Sequence, residues 1–351
     1  MTILITGGAG FVGSSLAVSL TEAGYGDVIC LDNLKRRGSE LVLSRLKKHA
    51  IRFIHGDVRN RTDLSDIPMA DILIECSAEP SVLAGYTGSP VYLLDTNLGG
   101  AINCFEWARQ CGAMAIFLSS SRVYPYDRLR KLPLAADEMR LVWQGDRVPG
   151  AGPEGIAEEF PMGGVRSLYG VTKLSSELIL AEYGAAYGIS YVINRCGVLT
   201  GPWQFGKTDQ GVFMYWLLNH YLNRPLNYIG YGGEGKQVRD LLHVQDLFEL
   251  VKTQIDSIHI CNGKTYNIGG GNKVSLSLKE TTEICMELTG RQVPVYSVLS
   301  ERTADIPWYI TDYSLAKKEL GWEPRHEPKR IFQEMFDWIK DYEQELIGAL
   351  D

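Results

Sequence analysis

The chain has 351 residues, of which 45% are hydrophobic and 22% charged, with a formal net charge of −7. This is the composition of an ordinary globular protein with a large core, and the excess of acidic residues argues against a nucleic-acid binder. No apolar run approaches the ~20 residues that a membrane span requires. Residues 1–6 lack the basic start and cleavage site of a leader, so we expect a strand there.

The cysteines and histidines give no sign of a disulfide framework or a metal site. The seven cysteines are scattered and form no Cys-x-x-Cys pair. We interpret them as small buried thiols of a protein in the reducing cytoplasm. The six histidines show no ligand spacing, so we predict no metal.

A glycine-rich turn follows the first predicted strand. Gly7, Gly10 and Gly13 are spaced Gly-x-x-Gly-x-x-Gly, and Phe11 and Val12 begin a helical pattern. Glycines in such a turn let the backbone approach a pyrophosphate, which the positive helix N-terminus attracts. The arrangement predicts a dinucleotide-binding site to which these five residues contribute.

A second strand, residues 28–31, leads to Asp32 and Asn33 beside the same predicted site. A carboxylate ~20 residues after the glycines can accept hydrogen bonds from both ribose hydroxyls, and it would repel a 2′-phosphate. Asp32 therefore favours NAD over NADP as the cofactor. Arg36 and Arg37 keep NADP open as an alternative.

The third predicted strand, residues 51–55, is followed by Asp57 and Val58. We predict that Asp57 accepts a hydrogen bond from the adenine amino group and that Val58 packs on the adenine ring. For Asp57, capping of the next helix is the alternative.

The fourth predicted strand, residues 70–76, runs into a turn that begins with Ser77 and Ala78. We expect this turn to lie beneath the cofactor, and we count Asn97, within a helix predicted over residues 90–112, among the cofactor-binding residues. The alternation of strands and helices predicts an α/β fold with a Rossmann-type, doubly wound parallel sheet.

The fifth predicted strand, residues 113–118, ends in three serines and an arginine: Ser119, Ser120, Ser121 and Arg122. The carboxyl ends of strands line the ligand crevice in such sheets, so these side chains are placed to bond a cofactor or a substrate hydroxyl. Ordinary turn chemistry is the alternative.

Residues 125–166 are rich in proline, glycine and charge, and we expect this segment to be a lid over the substrate or a subunit contact. A helix is predicted over residues 169–187, and Tyr169 and Lys173 lie one turn apart at its start. A tyrosine hydroxyl normally titrates near pH ~10, but a nearby ammonium and an oxidised nicotinamide favour its phenolate. The pair could then take a proton from a sugar hydroxyl while hydride leaves the carbon. A solvated helix face is the alternative.

From residue 196 the pattern changes to a smaller C-terminal α/β lobe. We predict an NAD-binding domain of residues 1–195, to which residues 237–269 return, and a substrate-binding lobe of residues 196–236 and 270–351. The elements predicted after residue 196 include strands near residues 227–229, 265–268 and 293–298 and helices near residues 277–289, 312–320 and 329–346.

Together these motifs resemble the extended short-chain dehydrogenase/reductase family of nucleotide-sugar epimerases and dehydratases. The resemblance spans nearly the whole chain, with the motifs in the right order. Within the family the sequence is most similar to the branch of CDP-sugar 2-epimerases. The stretches that carry this similarity are residues 209–211, 235–240 with 242–243, and 267–270 followed by 275–278.

The resemblance implies roles for particular residues. Tyr169 would be the catalytic base and acid, Lys173 would support its phenolate and hold the nicotinamide ribose, and Ser120 would bond the reacting hydroxyl. Arg239 and Arg302 match arginines that bind the substrate diphosphate, and a guanidinium group suits phosphate oxygens. Further candidates for substrate contacts are Ser121, Arg122, Gln204, Asp209 and Gln210. The chain departs from the branch at Ser121-Arg122 and after Arg302, which leaves the exact sugar open.

The activity implied is that of an NAD-dependent isomerase of carbohydrate biosynthesis, which inverts C2 of a CDP-linked sugar by transient oxidation. A homodimer or homotetramer is implied too, formed through the helices near residues 90–112 and 169–187. A 4-epimerase is the main alternative. A 4,6-dehydratase of this family carries Asp-Glu where this chain has Ser121-Arg122, and a non-catalytic NAD-binding scaffold typically lacks the tyrosine or the lysine.

Overall fold

The computed structural model describes residues 1–86, 88–206 and 210–350, and for residues 347–350 only the main chain. In chain order, strands β1 to β17 are Thr2–Thr6, Asp27–Asp32, Arg52–His55, Ile72–Glu75, Met114–Ser120, Leu134–Ala136, Leu141–Trp143, Ala151–Gly152, Gly155–Ile156, Tyr191–Cys196, Val198–Thr200, Leu226–Ile229, Val238–His243, Lys264–Ile268, Ser275–Ser277, Val295–Val298 and Trp308–Tyr309. Helices α1 to α14 are Phe11–Glu22, Ser39–Lys48, Arg61–Ser65, Val91–Leu94, Gly100–Cys111, Tyr126–Leu129, Leu168–Tyr187, Val212–Tyr221, Val244–Asp256, Ile258–Cys261, Leu278–Thr289, Ser314–Leu320, Pro328–Asp341 and Glu343–Leu350.

Seven parallel strands form the central sheet, in the order β14-β10-β5-β4-β1-β2-β3. The direction of winding reverses between β1 and β4, which lie side by side with Ile3 opposite Ile72 and Thr6 opposite Glu75. At such a reversal the carboxyl ends of the strands leave a crevice that binds ligands. The predicted doubly wound α/β fold is confirmed.

Helices cover both faces of the central sheet, because its strands are apolar on both sides. On one face α1 and α9 pack together and bury Leu16, Leu20 and Leu247. On the other face α5 and α7 bury Phe105 and Leu180. The sheet is therefore rigidly held, and the side chains at its carboxyl edge are fixed relative to one another.

A smaller sheet of β11, β13, β15 and β17 begins the C-terminal lobe. Its separate core lies among α8, α11 and α13 and contains Trp216, Cys285 and Phe332. The predicted C-terminal α/β lobe is confirmed. The chain returns to the central sheet only after β13, since α9 packs on α1 and β14 pairs with β10. The predicted domain limits stay a prediction.

The segment of residues 125–166 is folded. It contains α6 and two hairpins, β6–β7 and β8–β9. The main-chain N of Ile156 donates to the oxygen of Ile310 at 2.8 Å, and the ring of Trp143 lies 5.9 Å from that of Trp308. The segment thus joins the two lobes, and its expected role over the substrate stays a prediction.

Several elements differ from their sequence-based descriptions. The helix expected over residues 90–112 is α4 and α5 joined by a π-helical turn at Asp95–Gly99. The helix expected over residues 329–346 breaks into α13 and α14 because Tyr342 leaves the helical conformation, with φ −119° and ψ 26°. The strands of the smaller sheet, β11, β13, β15 and β17, were not predicted. None of the described helices is long and apolar enough to span a membrane.

Candidate active site

The glycine turn packs tightly at the carboxyl end of β1. Gly7 has φ +65°, and a Cβ there would lie 2.9 Å from the main chain that follows β4. A Cβ on Gly13 would lie 2.3 Å from the oxygen of Gly7. Gly10 donates from its N to the same oxygen at 2.9 Å and precedes α1, while Phe11 and Val12 line the cleft above the turn. Side chains at Gly7 and Gly13 would collide with the neighbouring main chain, so glycines allow the turn to pack this closely.

Asp32 ends β2 with its carboxylate between two main-chain amides. Its Oδ2 accepts from the N of Ala9 at 3.1 Å, and its Oδ1 accepts from the N of Leu34 at 2.8 Å. Burial raises the pKa of Asp32, and these two hydrogen bonds oppose that rise. Asn33 lines the same cleft, and its Nδ2 donates to Oδ2 of Asp57 at 3.0 Å.

Asp57 is paired with Arg59. Its Oδ2 accepts from Nη2 of Arg59 at 2.6 Å and its Oδ1 from Nε at 3.0 Å, and these hydrogen bonds hold the pKa of Asp57 well below its ordinary value. Helix α3 is capped by Asn60, whose side chain accepts from the N of Thr62 at 3.1 Å. The helix-cap alternative for Asp57 is therefore wrong. Val58 lines the cleft.

Ser77 and Ala78 line the cleft, as expected for the turn after β4, but Asn97 lies behind that turn. Oδ1 of Asn97 accepts from the N of Glu79 at 2.7 Å, and its Nδ2 donates to the oxygen of Glu79 at 3.0 Å. We predicted that Asn97 binds the cofactor. Its side chain does not line the cleft, so the prediction of a direct contact is wrong. Because both ends of its amide are used by the main chain, Asn97 holds the turn in place.

Tyr169 lies at the start of α7, where the helix packs on the turn that carries the serines. Ser167 caps the helix, since its Oγ accepts from the N of Gly170 at 3.1 Å. A Cβ on Gly170 would lie 2.1 Å from the oxygen of Arg122. This close approach puts Tyr169 in the lining of the same cleft as Ser120.

Lys173 lies one turn after Tyr169 and is buried against the sheet. Its Nζ donates to the oxygen of Leu118 at 2.9 Å and lies 4.6 Å from the centroid of the Phe117 ring. Oε2 of Glu75 lies 3.7 Å from the same nitrogen. The lysine is thus anchored to the carboxyl ends of β4 and β5, behind the cleft.

Two of the three serines line the cleft: Ser120 and Ser121. Oγ of Ser120 accepts from the N of Arg122 at 3.2 Å, so its hydroxyl proton is not used by this bond. Ser119 is buried and its Oγ donates to Oε1 of Glu177 at 2.5 Å. The predicted cofactor contact of Ser119 is therefore wrong. Successive side chains of a strand point to opposite faces, so Ser119 points away from the cleft that Ser120 lines.

A second cavity of about 210 Å³ adjoins the cleft and is lined by Arg122, Arg239 and Arg302. Nη2 of Arg239 donates to Oδ1 of Asp305 at 2.9 Å. Burial, and then the nearby charge of Arg239, lower the pKa of Arg122 to about 10. Several guanidinium groups around one cavity suit a diphosphate. Gln210 lines both spaces.

Gln204 lines the cleft, but its amide is used within its own loop. Its Oε1 accepts from Oγ1 of Thr200 at 3.0 Å, and its Nε2 donates to the oxygen of Leu199 at 2.9 Å. Asp209 lies outside the described residues. Of the predicted substrate contacts in this loop, Gln210 is the one that borders both cavities.

A buried network behind the serine turn was not predicted. Oε2 of Glu177 accepts from Nη2 of Arg195 at 2.7 Å, and Nη1 of Arg195 donates to the hydroxyl of Tyr124 at 3.1 Å. That hydroxyl donates to Oδ1 of Asn267 at 2.8 Å. These residues come from four separate parts of the chain, so no local spacing signals their contact. They fix α7 against the central sheet.

Outside the cleft, His243, His326 and Glu334 bring polar atoms within 4.8 Å of one another. Nδ1 of His243 accepts from the N of Gln245 at 3.3 Å, so its neutral ring carries the proton on Nε2, which lies 3.2 Å from Glu334. Nδ1 of His326 lies 2.8 Å from Oδ1 of Asp246. Nε2 of His243 is buried and has no hydrogen-bond partner among the described residues, so hydrogen bonds account only for Nδ1 of His243 and for His326.

The main cleft fits NAD. It has a volume of about 620 Å³ and runs from Asp32 past the glycine turn to Tyr169. The glycine cradle, in which an added Cβ would clash, admits a pyrophosphate, and the carboxylate at the end of β2 suits the ribose hydroxyls.

Known proteins match this chain over almost its full length. The family described as NAD dependent epimerase/dehydratase family matches residues 3–269. CDP-paratose 2-epimerase from Salmonella typhi is 28% identical, covering 96% of this chain and 99% of its own. UDP-glucose 4-epimerase from Erwinia amylovora is also 28% identical, covering 96% of this chain and 97% of its own.

Solved structures agree on the fold. Pal from Bacillus thuringiensis superposes with a TM-score of 0.81 at 25% identity, covering 97% of this chain and 99% of its own. UDP-glucuronic acid 4-epimerase from Bacillus cereus, solved with UDP-glucuronic acid and NAD, superposes with a TM-score of 0.79 at 23% identity, with the same coverage. The chain belongs to the NAD dependent epimerase/dehydratase family and is an enzyme whose cofactor is NAD.

Proposed function

We propose that this enzyme is a nucleotide-sugar epimerase of the CDP-paratose 2-epimerase type, which interconverts CDP-paratose and CDP-tyvelose by inverting C2. One observation carries the proposal: Tyr169 and Ser120 line the cleft that holds the glycine turn, and the arginine-lined cavity adjoins it. A sugar bound between the two spaces would have its diphosphate on the arginines and its ring beside Tyr169.

The mechanism follows from the weak acidity of the sugar. A C–H bond beside a hydroxyl, with no neighbouring carbonyl, is not acidic enough for direct deprotonation. Bound NAD would supply the acceptor for that hydrogen as hydride and the donor for its return. Tyr169 takes the hydroxyl proton, Ser120 donates a hydrogen bond to the same oxygen, and Lys173 stabilises the phenolate. The flat ketosugar then presents its other face to the cofactor, and Tyr169 returns the proton to the same oxygen.

The arginines define the class of substrate. Arg122, Arg239 and Arg302 surround the second cavity, and guanidinium groups bond diphosphate oxygens in pairs. Arg122 borders both spaces, at the junction where the diphosphate would meet the sugar. We propose that it contacts the phosphate nearer the sugar. This position also disfavours a 4,6-dehydratase, because elimination of water requires an acid and a base where Ser121 and Arg122 stand.

A 4-epimerase is the second candidate. A UDP-glucose 4-epimerase matches this chain at the same 28% identity as the CDP-paratose 2-epimerase does. The two reactions use the same groups, and they differ in which sugar carbon faces the cofactor.

The seven cysteines are unpaired in the structure, and most of them are buried. This supports the further proposal that the enzyme works in the reducing cytoplasm.

The test is proton NMR of the purified enzyme with CDP-tyvelose, and in parallel with UDP-glucose and UDP-galactose. We expect CDP-tyvelose to be converted to CDP-paratose, and the Tyr169→Phe variant to be nearly inactive. Exchange between the two UDP-sugars, without turnover of the CDP-sugar, would replace the proposal by a 4-epimerase.

A further inference from the structure

A buried carboxylate lies behind the candidate catalytic lysine. Glu75, at the end of β4, is 1% exposed, and Lys173 is 2% exposed. Oε2 of Glu75 lies 3.7 Å from Nζ of Lys173 and accepts no hydrogen bond from the described residues. Its Oε1 accepts from the N of Ser77 at 3.0 Å. Glu75 therefore connects the lysine with the turn that lines the cleft.

The other contacts of the Lys173 ammonium are uncharged. It donates to the carbonyl oxygen of Leu118 and lies over the ring of Phe117. The carboxylate of Glu177, one turn further along α7, is already bonded to the guanidinium of Arg195. Within the described part of the chain, Glu75 is thus the carboxylate placed to balance this buried cation.

Among the described residues, the thiols of Cys76, Cys104 and Cys196 lie close enough to the pair to interact with its charges. Burial raises the pKa of each thiol far enough to keep it neutral at pH 7. No thiolate among them competes with Glu75 for the ammonium.

We propose that Glu75 is a positioning residue, the counter-ion that keeps the buried Lys173 protonated and in place and, through it, supports the phenolate of Tyr169. An ammonium removed from water is strongly disfavoured without an opposite charge nearby, and a lone buried lysine gives up its proton instead. The part that concerns Tyr169 rests on the proposed function, but neither test below needs turnover.

The first test is a double-mutant cycle on thermal stability with Glu75→Gln and Lys173→Met. Removing one partner leaves the other as an unpaired buried charge. We therefore expect the double variant to melt at a higher temperature than either single variant. Additive losses of melting temperature would overturn the proposal. The matched control is the partly exposed pair of Lys264 and Glu319, with Nζ 2.9 Å from Oε2, for which Lys264→Met and Glu319→Gln should be close to additive.

The second test isolates the ionisation of Tyr169. The absorbance at 295 nm is titrated for the NAD-bound protein and for Tyr169→Phe, and the difference is the signal of that phenolate. In the Glu75→Gln background we expect this signal to appear at a higher pH, because the cation beside Tyr169 has lost its counter-ion. An unchanged signal, or one that moves to lower pH, would overturn the proposal. A protein that shifts as expected yet converts no sugar would refute the proposed function alone.

Discussion

Tyr169 lines the cleft, whereas Lys173, one helical turn later, is buried behind it against the ends of β4 and β5. This arrangement divides the work between the two side chains. The hydroxyl is free to meet a substrate, and the ammonium is held by the main-chain oxygen of Leu118 and by the carboxylate of Glu75.

The proton transfer assigned to Tyr169 predicts the effect of Tyr169→Phe. We expect kcat to fall about 10²- to 10⁴-fold, as is usual when a general acid–base group is removed. The amount of NAD that the protein binds should stay the same, because a phenylalanine ring fills the same space as the tyrosine ring. Tyr187→Phe, on the exposed end of the same helix, is the control and should leave kcat unchanged. A fall of less than tenfold in Tyr169→Phe would refute the assignment.

If the carboxylate of Asp32 binds the ribose hydroxyls of NAD, its removal should weaken cofactor binding. Asp32→Asn should raise the Kd for NAD about 10- to 100-fold, since hydrogen bonds to a charged acceptor contribute about 1.5–3 kcal/mol. Asp27→Asn, at the exposed start of the same strand, should have no effect. Titration of both variants with NAD by calorimetry measures the difference. Equal affinities would show that Asp32 does not hold the ribose.

At the residue scale, local spacing predicts the glycine turn, Asp32 and the Tyr169–Lys173 pair, because each depends on neighbours in sequence. Ser119 and Asn97 were misplaced because spacing does not say which face of a strand or helix a side chain occupies. Glu75 was missed altogether. A glutamate at the end of an apolar strand looks like any solvated strand end until the fold brings a lysine to it from a hundred residues away.

Among the elements, α7 depends on close contact with the turn at Ser121–Val123. The helix starts where Gly170 lets its main chain meet the oxygen of Arg122. Segment 125–166, between that turn and α7, is tied to the second lobe by Ile156 and to β14 by Glu158, whose Oε1 accepts from the N of Asn267 at 2.6 Å. Composition predicted a long functional loop here, because hairpins this short leave little periodicity to detect.

The contact at Gly170 predicts that Gly170→Ala destabilises the protein by about 1–3 kcal/mol and lowers kcat, because an added Cβ forces α7 away from the serine turn. Urea unfolding and turnover measure both effects. Gly99→Ala is the control: its Cβ would meet no atom closer than 4.0 Å, so stability should hold or rise by up to ~1 kcal/mol. Equal stability of the two variants would contradict this packing.

The buried carboxyl group of Glu158 should make the stability of the protein depend on pH. Burial raises its pKa from 4.5 to about 7. A carboxyl group whose folded pKa is raised favours folding at low pH, and this contribution is lost as the pH rises through that window. The free energy of unfolding of the parent, relative to Glu158→Gln, should therefore fall between about pH 4.5 and pH 7 and then level off. Urea titrations at several pH values test this, and a relative stability that rises over that window would contradict it.

At the scale of the whole molecule, the cofactor cleft lies at the strand reversal of the central sheet and the arginine-lined cavity lies against the second lobe. The first could be predicted from the alternation of strands and helices. The second could not be located from sequence, because Arg122 and Arg239 are brought together by β13, a strand whose mixed charged and apolar residues give no clear period.

The implied homo-oligomer also belongs to this scale. Val171 and Leu178 are exposed on α7 and lie two turns apart on one face, with Leu178 62% exposed. If α5 and α7 form the subunit contact, Leu178→Glu should yield monomers by light scattering. Leu299→Glu, 74% exposed and away from these helices, should leave the mass unchanged. Equal masses for the two variants would place the contact elsewhere.

In the proposed reaction the inverted carbon loses its hydrogen as hydride and receives the same hydrogen back. The most direct test is the conversion of CDP-tyvelose in D₂O, followed by proton NMR of the C2 position. CDP-paratose should keep its hydrogen at C2, because the hydride never exchanges with solvent. Deuterium at C2 would contradict it and would replace hydride return with deprotonation of the carbon.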